Sequence, residues 1–224
     1  MSNKFLMVRV LKECNWTCPY CEYSQNNNPP DEDSAIEIFD KYKDVITHIT
    51  GGEPGLLSTR FWDHVFNTRS VGVLTNGLFI TKGYYDKYRD KVTHLYVHAT
   101  PELDIDISPK VLQLLRTNDP KVEASVVIHK RNTHLIKNFI KKYPEIEFNI
   151  TMSGSQFYPD IGFNITDRKT ALEVIEQLKD FPQYAHFIPK LIKAITSNDW
   201  NLCFIPNTKV VRCGECPVKC WVDV

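Results

Sequence analysis

Short apolar runs alternate with helical patterns along most of the chain. Six runs rich in β-branched and aromatic residues have the length of strands. After each run, apolar residues recur at spacings of one, three and four, as on the buried face of a helix. The pattern therefore predicts six strand–helix units. The predicted strands are Phe5–Leu11, Val45–Thr50, Val71–Thr75, Thr93–His98, Val122–Ile128 and Ile146–Thr151.

Small polar residues mark where most of the predicted helices begin. Ser34 opens a capping-box sequence with Glu37, and Ser108 is followed by Pro109, a residue favoured in the first helical turn. A weaker helix is predicted around Tyr84, and a further helical segment is predicted in residues 181–197. The predicted starting residues of the clearer helices are Ser34, Ser58, Ser108, Thr133 and Thr166 or Asp167.

Repeated strand–helix units imply a parallel sheet with right-handed crossovers. The predicted fold class is α/β, with either an open doubly wound sheet or a partial (βα)6 barrel of the TIM type. In both arrangements ligands bind at the carboxyl ends of the strands. We predict a core domain over residues 1–180 and an extension over residues 181–224, formed by a helix and a small Cys-rich hairpin.

Composition narrows the class of protein. Among 224 residues, 42% are hydrophobic and 24% charged, which excludes a disordered or repetitive chain. No apolar stretch is long enough to cross a bilayer, and the start does not resemble a secretory signal. The formal net charge is zero, which opposes a general attraction to nucleic acid phosphates. Seven cysteines, an odd number in a leaderless chain, indicate metal or redox chemistry in the cytoplasm rather than disulfides.

The cysteines fall into two groups, and the first group directly follows the first predicted strand. The spacing of Cys14, Cys18 and Cys21 allows three thiolates to meet at one metal centre without a fourth ligand nearby. A fully ligated iron–sulfur cubane takes four cysteines, so three would leave one iron open. A zinc site completed by a distant His or Asp is an alternative, as is a set of inert buried cysteines.

A second motif, Gly51-Gly52-Glu53-Pro54, follows the second predicted strand. Paired glycines allow a ligand to approach the backbone closely, and the glutamate supplies a carboxylate. A tight turn into the helix at Ser58 is the alternative. Because parallel strands end on the same edge, both motifs are expected on one rim of the sheet.

These two motifs together resemble the radical S-adenosylmethionine (radical SAM) superfamily, and the architecture of residues 5–180 is similar to its core. The resemblance implies the partial (βα)6 barrel. It implies that the first cysteines hold a [4Fe–4S] cluster, with SAM chelating the open iron. It also implies SAM contacts, although Thr75 and Asn76 alternatively form a turn with Gly77, and His98 replaces a frequent serine. The implied contacts are Tyr20 near the adenine, Gly51, Gly52, Glu53 and Pro54 at the methionine amino group, Thr75 and Asn76 beside SAM, and His98 and Ser125 at the ribose.

The activity implied by the resemblance is reductive cleavage of SAM to a 5′-deoxyadenosyl radical, which abstracts hydrogen from a substrate. An external low-potential electron donor of the flavodoxin or ferredoxin type is implied as a partner. The substrate is unidentified: a peptide or protein side chain, a nucleoside or nucleic acid, or a small molecule in a dehydrogenase or isomerase reaction. The stretch Met152–Phe163 could line the substrate side of the mouth. His129, beside Lys130 and Arg131, is expected to be solvated.

Four further cysteines, Cys203, Cys213, Cys216 and Cys220, surround a predicted hairpin turn at Pro206-Asn207. They fit either a structural zinc or a fully ligated iron–sulfur cluster. The hairpin resembles a shortened SPASM or twitch extension, and this resemblance favours a second [4Fe–4S] cluster. An alternative of another class is a non-enzymatic zinc protein that binds nucleic acid through a basic helix. That helix carries Lys130, Arg131, Lys137, Lys141 and Lys142.

Overall fold

The structure is a computed structural model that describes residues 7–19, 21, 28–152, 167–185, 188–197, 202–203 and 211–212. Its regular elements alternate between strand and helix in the order that the sequence predicts. The strands are β1 (Met7–Arg9), β2 (His48–Thr50), β3 (Val71–Thr75), β4 (Val92–Ala99), β5 (Val122–Ile128), β6 (Phe148–Met152), β7 (Leu202–Cys203) and β8 (Val211–Arg212). The helices are α1 (Glu32–Tyr42), α2 (Thr59–Thr68), α3 (Leu78–Thr81), α4 (Tyr84–Tyr88), α5 (Pro109–Leu115), α6 (Thr133–Lys142), α7 (Arg168–Leu178) and α8 (Ile188–Thr196).

The first six strands form one sheet in which spatial order follows chain order, with β1 and β6 at its edges. The recorded pairings β1/β2, β2/β3, β3/β4 and β5/β6 are parallel. Both observations confirm the predicted α/β class and its strand–helix repeat. The short strands β7 and β8 pair in antiparallel fashion, as the predicted hairpin requires, and its predicted turn at Pro206-Asn207 lies outside the described residues.

The described residues form two compact units. The first contains the residues up to His98 together with Asp106–Glu123, and the second contains Ala99–Ile105 and the residues from Ala124 onward. Each unit is described by itself below. The boundary after residue 180 stays a prediction.

In the first unit, one face of the sheet is covered by an apolar core. Ile49 of β2, Val73 of β3 and Leu95 of β4 are fully buried in it. The rings of Trp62 and Phe79 pack edge to face against each other, with centroids 4.7 Å apart. Because successive side chains of a strand point to opposite faces, the residues between these apolar positions face away from the helices.

Side-chain caps explain where several helices begin. Ser58 and Ser108 cap α2 and α5 as predicted, since their hydroxyls accept hydrogen bonds from the backbone N–H groups of Arg60 and Val111. The predicted start at Ser34 is wrong, because α1 begins earlier. The Asp31 side chain accepts from the backbone N–H of Ser34 at 3.1 Å, and so caps the helix three residues upstream.

In the second unit, β5 and β6 pack with α6, α7 and α8. The apolar faces of α7 and α8 are buried, including Ile175 and Leu191. Within the described part of the chain, the helices are too short or too polar to cross a lipid bilayer.

Candidate functional site

The cysteine loop follows the end of β1, and its three cysteines are thiols rather than halves of a disulfide. Cys18 is buried, while Cys14 and Cys21 are half-buried. The backbone N–H of Cys21 donates to the carbonyl of Cys18 at 3.0 Å, which closes a turn between these two cysteines. Burial raises the pKa of Cys14 to about 11, and the hydrogen bond from the Trp16 N–H to its Sγ offsets this in part. Metal binding at Cys14 would therefore have to displace a proton.

The thiols fit an iron–sulfur cluster by their chemistry, since three soft ligands lie within eight residues of one exposed loop. No group of three His, Cys, Asp or Glu side chains among the described residues is close enough to share one metal ion. A cubane places each cysteine on a separate iron, so its ligands do not share one ion.

Beyond the strand ends, β1 and β2 remain paired through the two motifs. The N–H of Gly52 donates to the carbonyl of Leu11 at 2.9 Å, and the N–H of Glu53 donates to the carbonyl of Glu13 at 2.8 Å. A Cβ atom on Gly52 would overlap the Glu13 backbone. The Cβ side of Gly52 thus faces the chain's own cysteine loop, and the approach of a ligand to the backbone of Gly51 and Gly52 stays a prediction. The glycine is needed for this close approach between two segments of the rim.

Glu53 connects the end of β2 to the end of β3. Its side chain is buried, and its Oε1 accepts hydrogen bonds from the Gly55 N–H and the Thr75 hydroxyl, each at 2.7 Å. Its Oε2 accepts from the Asn76 N–H at 2.6 Å. Burial raises the pKa of Glu53 to about 7, although these three hydrogen bonds oppose the increase. The carboxyl group is therefore directed at the protein itself.

Thr75, Asn76 and Gly77 form the turn that the sequence offered as one alternative. Gly77 has a φ of 103° and precedes α3. The Asn76 side chain donates to the Oδ1 of Asn15 at 2.9 Å, and Asn15 directly follows Cys14. Hydrogen bonds therefore join Glu53, the end of β3 and the cysteine loop into one network, which we call the rim network.

The remaining predicted contacts are distributed more widely. His98 is half-buried near the end of β4 in the first unit, and Ser125 is half-buried within β5 in the second unit. Tyr20 and the substrate-side residues 153–163 lie outside the described residues. The same holds for Cys213, Cys216 and Cys220, and for the side chain of Cys203.

One expectation was wrong: His129 is fully buried rather than solvated. Its Nδ1 accepts from the Arg131 N–H at 3.2 Å, so its Nε2 carries the proton and donates to Glu102. Burial acts to raise the pKa of Glu102, but hydrogen bonds from His129 and Asn132 outweigh it and hold that pKa below 4.5. Sequence reasoning missed Glu102, although Pro101 marks a turn after a strand, as Pro54 does.

A second missed group lies on the polar face of the first unit's sheet. His48, His94 and Tyr96 bring their rings together there, and the His94 Nε2 lies 2.9 Å from the Glu123 Oε1. The alternation of buried and half-buried positions along β4 was a signal that could have revealed it.

Comparison with known proteins gives one curated relative. No family model matches the sequence. The chain is 34% identical over 94 residues to a probable GTP 3′,8-cyclase of Archaeoglobus fulgidus, an alignment covering 38% of this chain and 31% of the relative. The chain thus spans less than a third of that relative's length. It is also similar to the solved structure of native anSMEcpe with bound AdoMet and Cp18Cys peptide, at a TM-score of 0.49 and 15% identity. That match covers 84% of this chain and 61% of the other.

The first two strands of the parallel sheet end in a three-cysteine loop and a Gly-Gly-Glu-Pro segment. These motifs resemble those of the radical SAM superfamily, and 94 residues of the chain are similar to the probable cyclase. The resemblance implies SAM and one [4Fe–4S] cluster as cofactors.

Proposed function

We propose that this chain cleaves SAM reductively and abstracts a hydrogen atom from an organic substrate. The observation that carries the proposal is the rim network, because it joins the cysteine loop to the segments that follow β2 and β3. When bound, the cluster and SAM supply one-electron chemistry that no amino-acid side chain provides. An external electron donor of the flavodoxin or ferredoxin type would serve as a partner.

The roles of the chain's own residues follow from their contacts. Cys14, Cys18 and Cys21 would hold the cluster. The backbone at Gly51 and Gly52 would accept the methionine amino group through carbonyl oxygens, since the Gly52 N–H already donates to Leu11. SAM contacts by Tyr20, Pro54, His98 and Ser125 remain part of the proposal.

Besides the SAM contacts that the resemblance implies for them, Glu53 and Thr75 have a second role through their side chains. Their side chains bond to each other, and Glu53 also accepts from the N–H groups of Gly55 and Asn76. We therefore assign both as positioning residues that fix the ends of β2 and β3. Asn76 extends this positioning to the loop through Asn15.

The proposal is tested by replacing Cys14, Cys18 and Cys21 together with Ala. Wild-type protein, reconstituted anaerobically, should contain iron and sulfide and form 5′-deoxyadenosine from SAM in the presence of dithionite. The triple variant should form none while keeping its helical circular dichroism. Glu102→Gln in the second unit is the matched control and should keep this activity. Undiminished 5′-deoxyadenosine formation by the triple variant would contradict the assignment, as would stoichiometric zinc without iron in the wild type.

Among the substrate classes, we favour a nucleoside or nucleotide over a peptide side chain. The name of the curated relative, a probable GTP 3′,8-cyclase, supports this choice. Liquid chromatography of reaction mixtures containing nucleosides or nucleotides would detect a modified product. The choice would be overturned if the same assay gave a modified product with peptides and none with nucleosides or nucleotides.

A second [4Fe–4S] cluster on Cys203, Cys213, Cys216 and Cys220 is the further cofactor that we propose. Four cysteines can ligate every iron of a cubane, so this cluster would need neither SAM nor substrate as a ligand. A variant lacking Cys213, Cys216 and Cys220 should retain about half the wild-type iron, on the four-cysteine rule. It should still cleave SAM with dithionite. Unchanged iron would indicate zinc in the tail, whereas complete loss of SAM cleavage would make the tail part of the primary site.

The contacts of α6 and of the turn before it oppose the alternative of a nucleic-acid-binding zinc protein. Lys130 and Arg131 precede α6, so they are not part of the helix that the sequence predicted to carry them. Lys137 lies 2.6 Å from the Asp180 carboxylate, and Lys130 lies 3.4 Å from that of Asp167. Partners of opposite charge reduce the pull of these lysines on phosphates. The alternative predicts strong, salt-dependent binding of labelled duplex DNA or RNA. We expect little binding of either nucleic acid in a fluorescence anisotropy titration.

A further inference from the structure

The polar face of the first unit's sheet carries four side chains that the rim network does not use. His48 comes from β2, His94 and Tyr96 from β4, and Glu123 from β5. We call these four residues the ring cluster. Their neighbours along the strands, such as Ile49 and Leu95, are buried in the apolar core on the other face. The cluster therefore lies on the face that the core does not occupy.

Gly72 of β3 makes the cluster possible. His48 is in register with Gly72, and a Cβ atom there would overlap the His48 ring. Without that side chain, the ring lies over β3, and its centroid is 6.2 Å from that of His94. The centroids of His94 and Tyr96 are 4.4 Å apart at an interplanar angle of 34°. Three aromatic rings thus form one continuous surface across β2, β3 and β4.

Three of the four side chains are partly accessible, while the His48 ring is buried beneath them. The His94 and Glu123 side chains form a close pair, yet they are 26% and 21% exposed. The Tyr96 hydroxyl makes no hydrogen bond to any residue that the structure describes, so it can donate to a ligand.

The ring cluster lies one residue step along the strands from the rim, on the sheet face opposite to the Thr75 side chain. Tyr96 is in register with Leu74, one residue before Thr75, whose hydroxyl bonds to Glu53. One strand residue spans about 3.3 Å, so the phenol ring is one residue step from the level of the rim. A group held on the rings would therefore lie close to the segments proposed to bind SAM.

We propose that the ring cluster binds the base of a nucleoside substrate, an inference that rests on the proposed function. Flat rings suit a planar heterocycle, since aromatic side chains stack on the faces of bases. Glu123 can accept from an amine or ring N–H at the edge of the base, and the Tyr96 hydroxyl can donate to a ring nitrogen or carbonyl. The Glu123 carboxylate repels phosphate, so the surface suits the base of a nucleotide better than its phosphate groups.

Direct binding measurements test the proposal. Guanosine, cytidine and uridine are titrated by calorimetry into the reconstituted full-length protein with SAM at saturation, so that the adenosyl site is occupied. At least one nucleoside should bind. His94→Leu and Tyr96→Leu should each weaken that binding about tenfold, the scale of lost base stacking. The matched control is His64→Gln, which alters a histidine of α2 that is paired with Asp40 of α1. This variant should bind the nucleoside as the wild type does.

Milder variants keep the test decisive if the leucine variants fail to fold. Tyr96→Phe keeps the ring and removes only the hydroxyl, and His94→Gln keeps a polar group beside Glu123. Both should weaken binding while near-ultraviolet circular dichroism stays unchanged. The proposal is overturned if no nucleoside binds, if tryptophan binds in their place, or if all folded cluster variants bind like the wild type.

The same protein distinguishes this proposal from the proposed function. Nucleoside binding without 5′-deoxyadenosine formation from SAM would overturn the SAM chemistry and leave the ring cluster assignment intact. SAM cleavage without nucleoside binding would overturn only the ring cluster.

Discussion

Two glutamates stand at strand ends, one in each unit, and the protein stabilises them differently. Glu53 immediately precedes the short turn Pro54–Leu56 after β2, and Glu102 lies within the similar turn Pro101–Leu103 after β4. Glu53 is fully buried and accepts from two backbone N–H groups and a hydroxyl, whereas Glu102 is half-buried and pairs with the imidazole of His129. Burial raises the pKa of Glu53 to about 7. At Glu102, hydrogen bonds from His129 and Asn132 outweigh burial and lower the pKa.

The difference shows that the number of hydrogen bonds does not by itself set the charge of a buried carboxyl group. Three hydrogen bonds do not offset the burial of Glu53, so its carboxyl group can titrate near neutral pH beside the loop that carries the cysteines. Glu102 is less deeply buried, and hydrogen bonds from His129 and Asn132 are sufficient to favour the carboxylate. In the first unit, the carboxyl group of Glu53 can therefore change its charge next to the proposed cofactor site. In the second unit, the Glu102 carboxylate stays paired with His129 and joins two loops.

The largest expected effect comes from Gly52→Val. Its side chain would displace the Glu13 backbone, so we expect a loss of about 4 kcal/mol in unfolding free energy, which is the scale of severe core disruption. The variant should also fail to retain iron, because displacing Glu13 moves the adjoining ligand Cys14. Urea unfolding and iron analysis measure both.

Gly83→Ala is the control for that variant. A Cβ atom at Gly83 would meet only the Lys110 amine, at 3.9 Å, and φ is 82°. We expect a cost of about 1 kcal/mol from the left-handed backbone and unchanged iron. If Gly52→Val kept normal stability and lost only SAM affinity, a ligand rather than Glu13 would approach that glycine.

The next largest effect should separate the two glutamates. Glu53→Ala leaves the donors on Gly55, Thr75 and Asn76 without their acceptor, so we expect a loss of about 3 kcal/mol. Glu102→Ala leaves the buried Nε2–H of His129 unpaired, and about 2 kcal/mol is expected. Thermal and urea unfolding provide the comparison. Equal losses in both variants would mean that the network around Glu53 is no stronger than the single pair.

A smaller effect should appear in the pH dependence of stability. Because the folded-state pKa of Glu53 is raised from 4.5 to about 7, the folded protein binds the proton more tightly than the unfolded chain. Its contribution to stability is therefore fully present below pH 4.5 and declines as the pH rises toward 7. Glu102 has a lowered pKa, so its contribution is present above pH 4.5 and is lost as the pH falls.

In the wild type, titration of Glu53 should lower the free energy of unfolding by on the order of 1 kcal/mol between pH 4.5 and 7. Glu53→Gln should remove this decline, whereas Glu102→Gln should keep it. Urea unfolding of metal-free protein across this range measures the two slopes. Identical slopes for wild type and Glu53→Gln would show that Glu53 does not titrate in this window.

The smallest effect is expected from Asn15→Ala. This change removes the 2.9 Å hydrogen bond to the Asn76 side chain, which is exposed, so we expect about 0.5 kcal/mol. The retained iron should decrease more visibly than stability if that bond positions the cysteine loop. Full iron retention after repeated desalting would limit the rim network to Glu53, Thr75 and the backbone of Asn76.

The sequence by itself determined the alternation of strands and helices, the α/β class and the site motifs. Apolar periodicity and caps such as Ser58 and Ser108 are local signals, because a strand or helix buries one face regardless of its distant neighbours. The cysteine spacing and the Gly-Gly-Glu-Pro segment are local for the same reason. The start of α1 was misplaced by only three residues, because Asp31 rather than Ser34 provides the cap.

Only the tertiary structure decided what these residues contact. Glu53 meets Thr75 across 22 positions of sequence, and His129 meets Glu102 across 27. The space beside Gly52 is filled by the Glu13 backbone, and the space beside Gly72 by the His48 ring. Such contacts depend on strand register and on the return of the chain after each helix. A side chain's own sequence neighbourhood carries no record of either, because register is fixed by the packing of whole strands against each other.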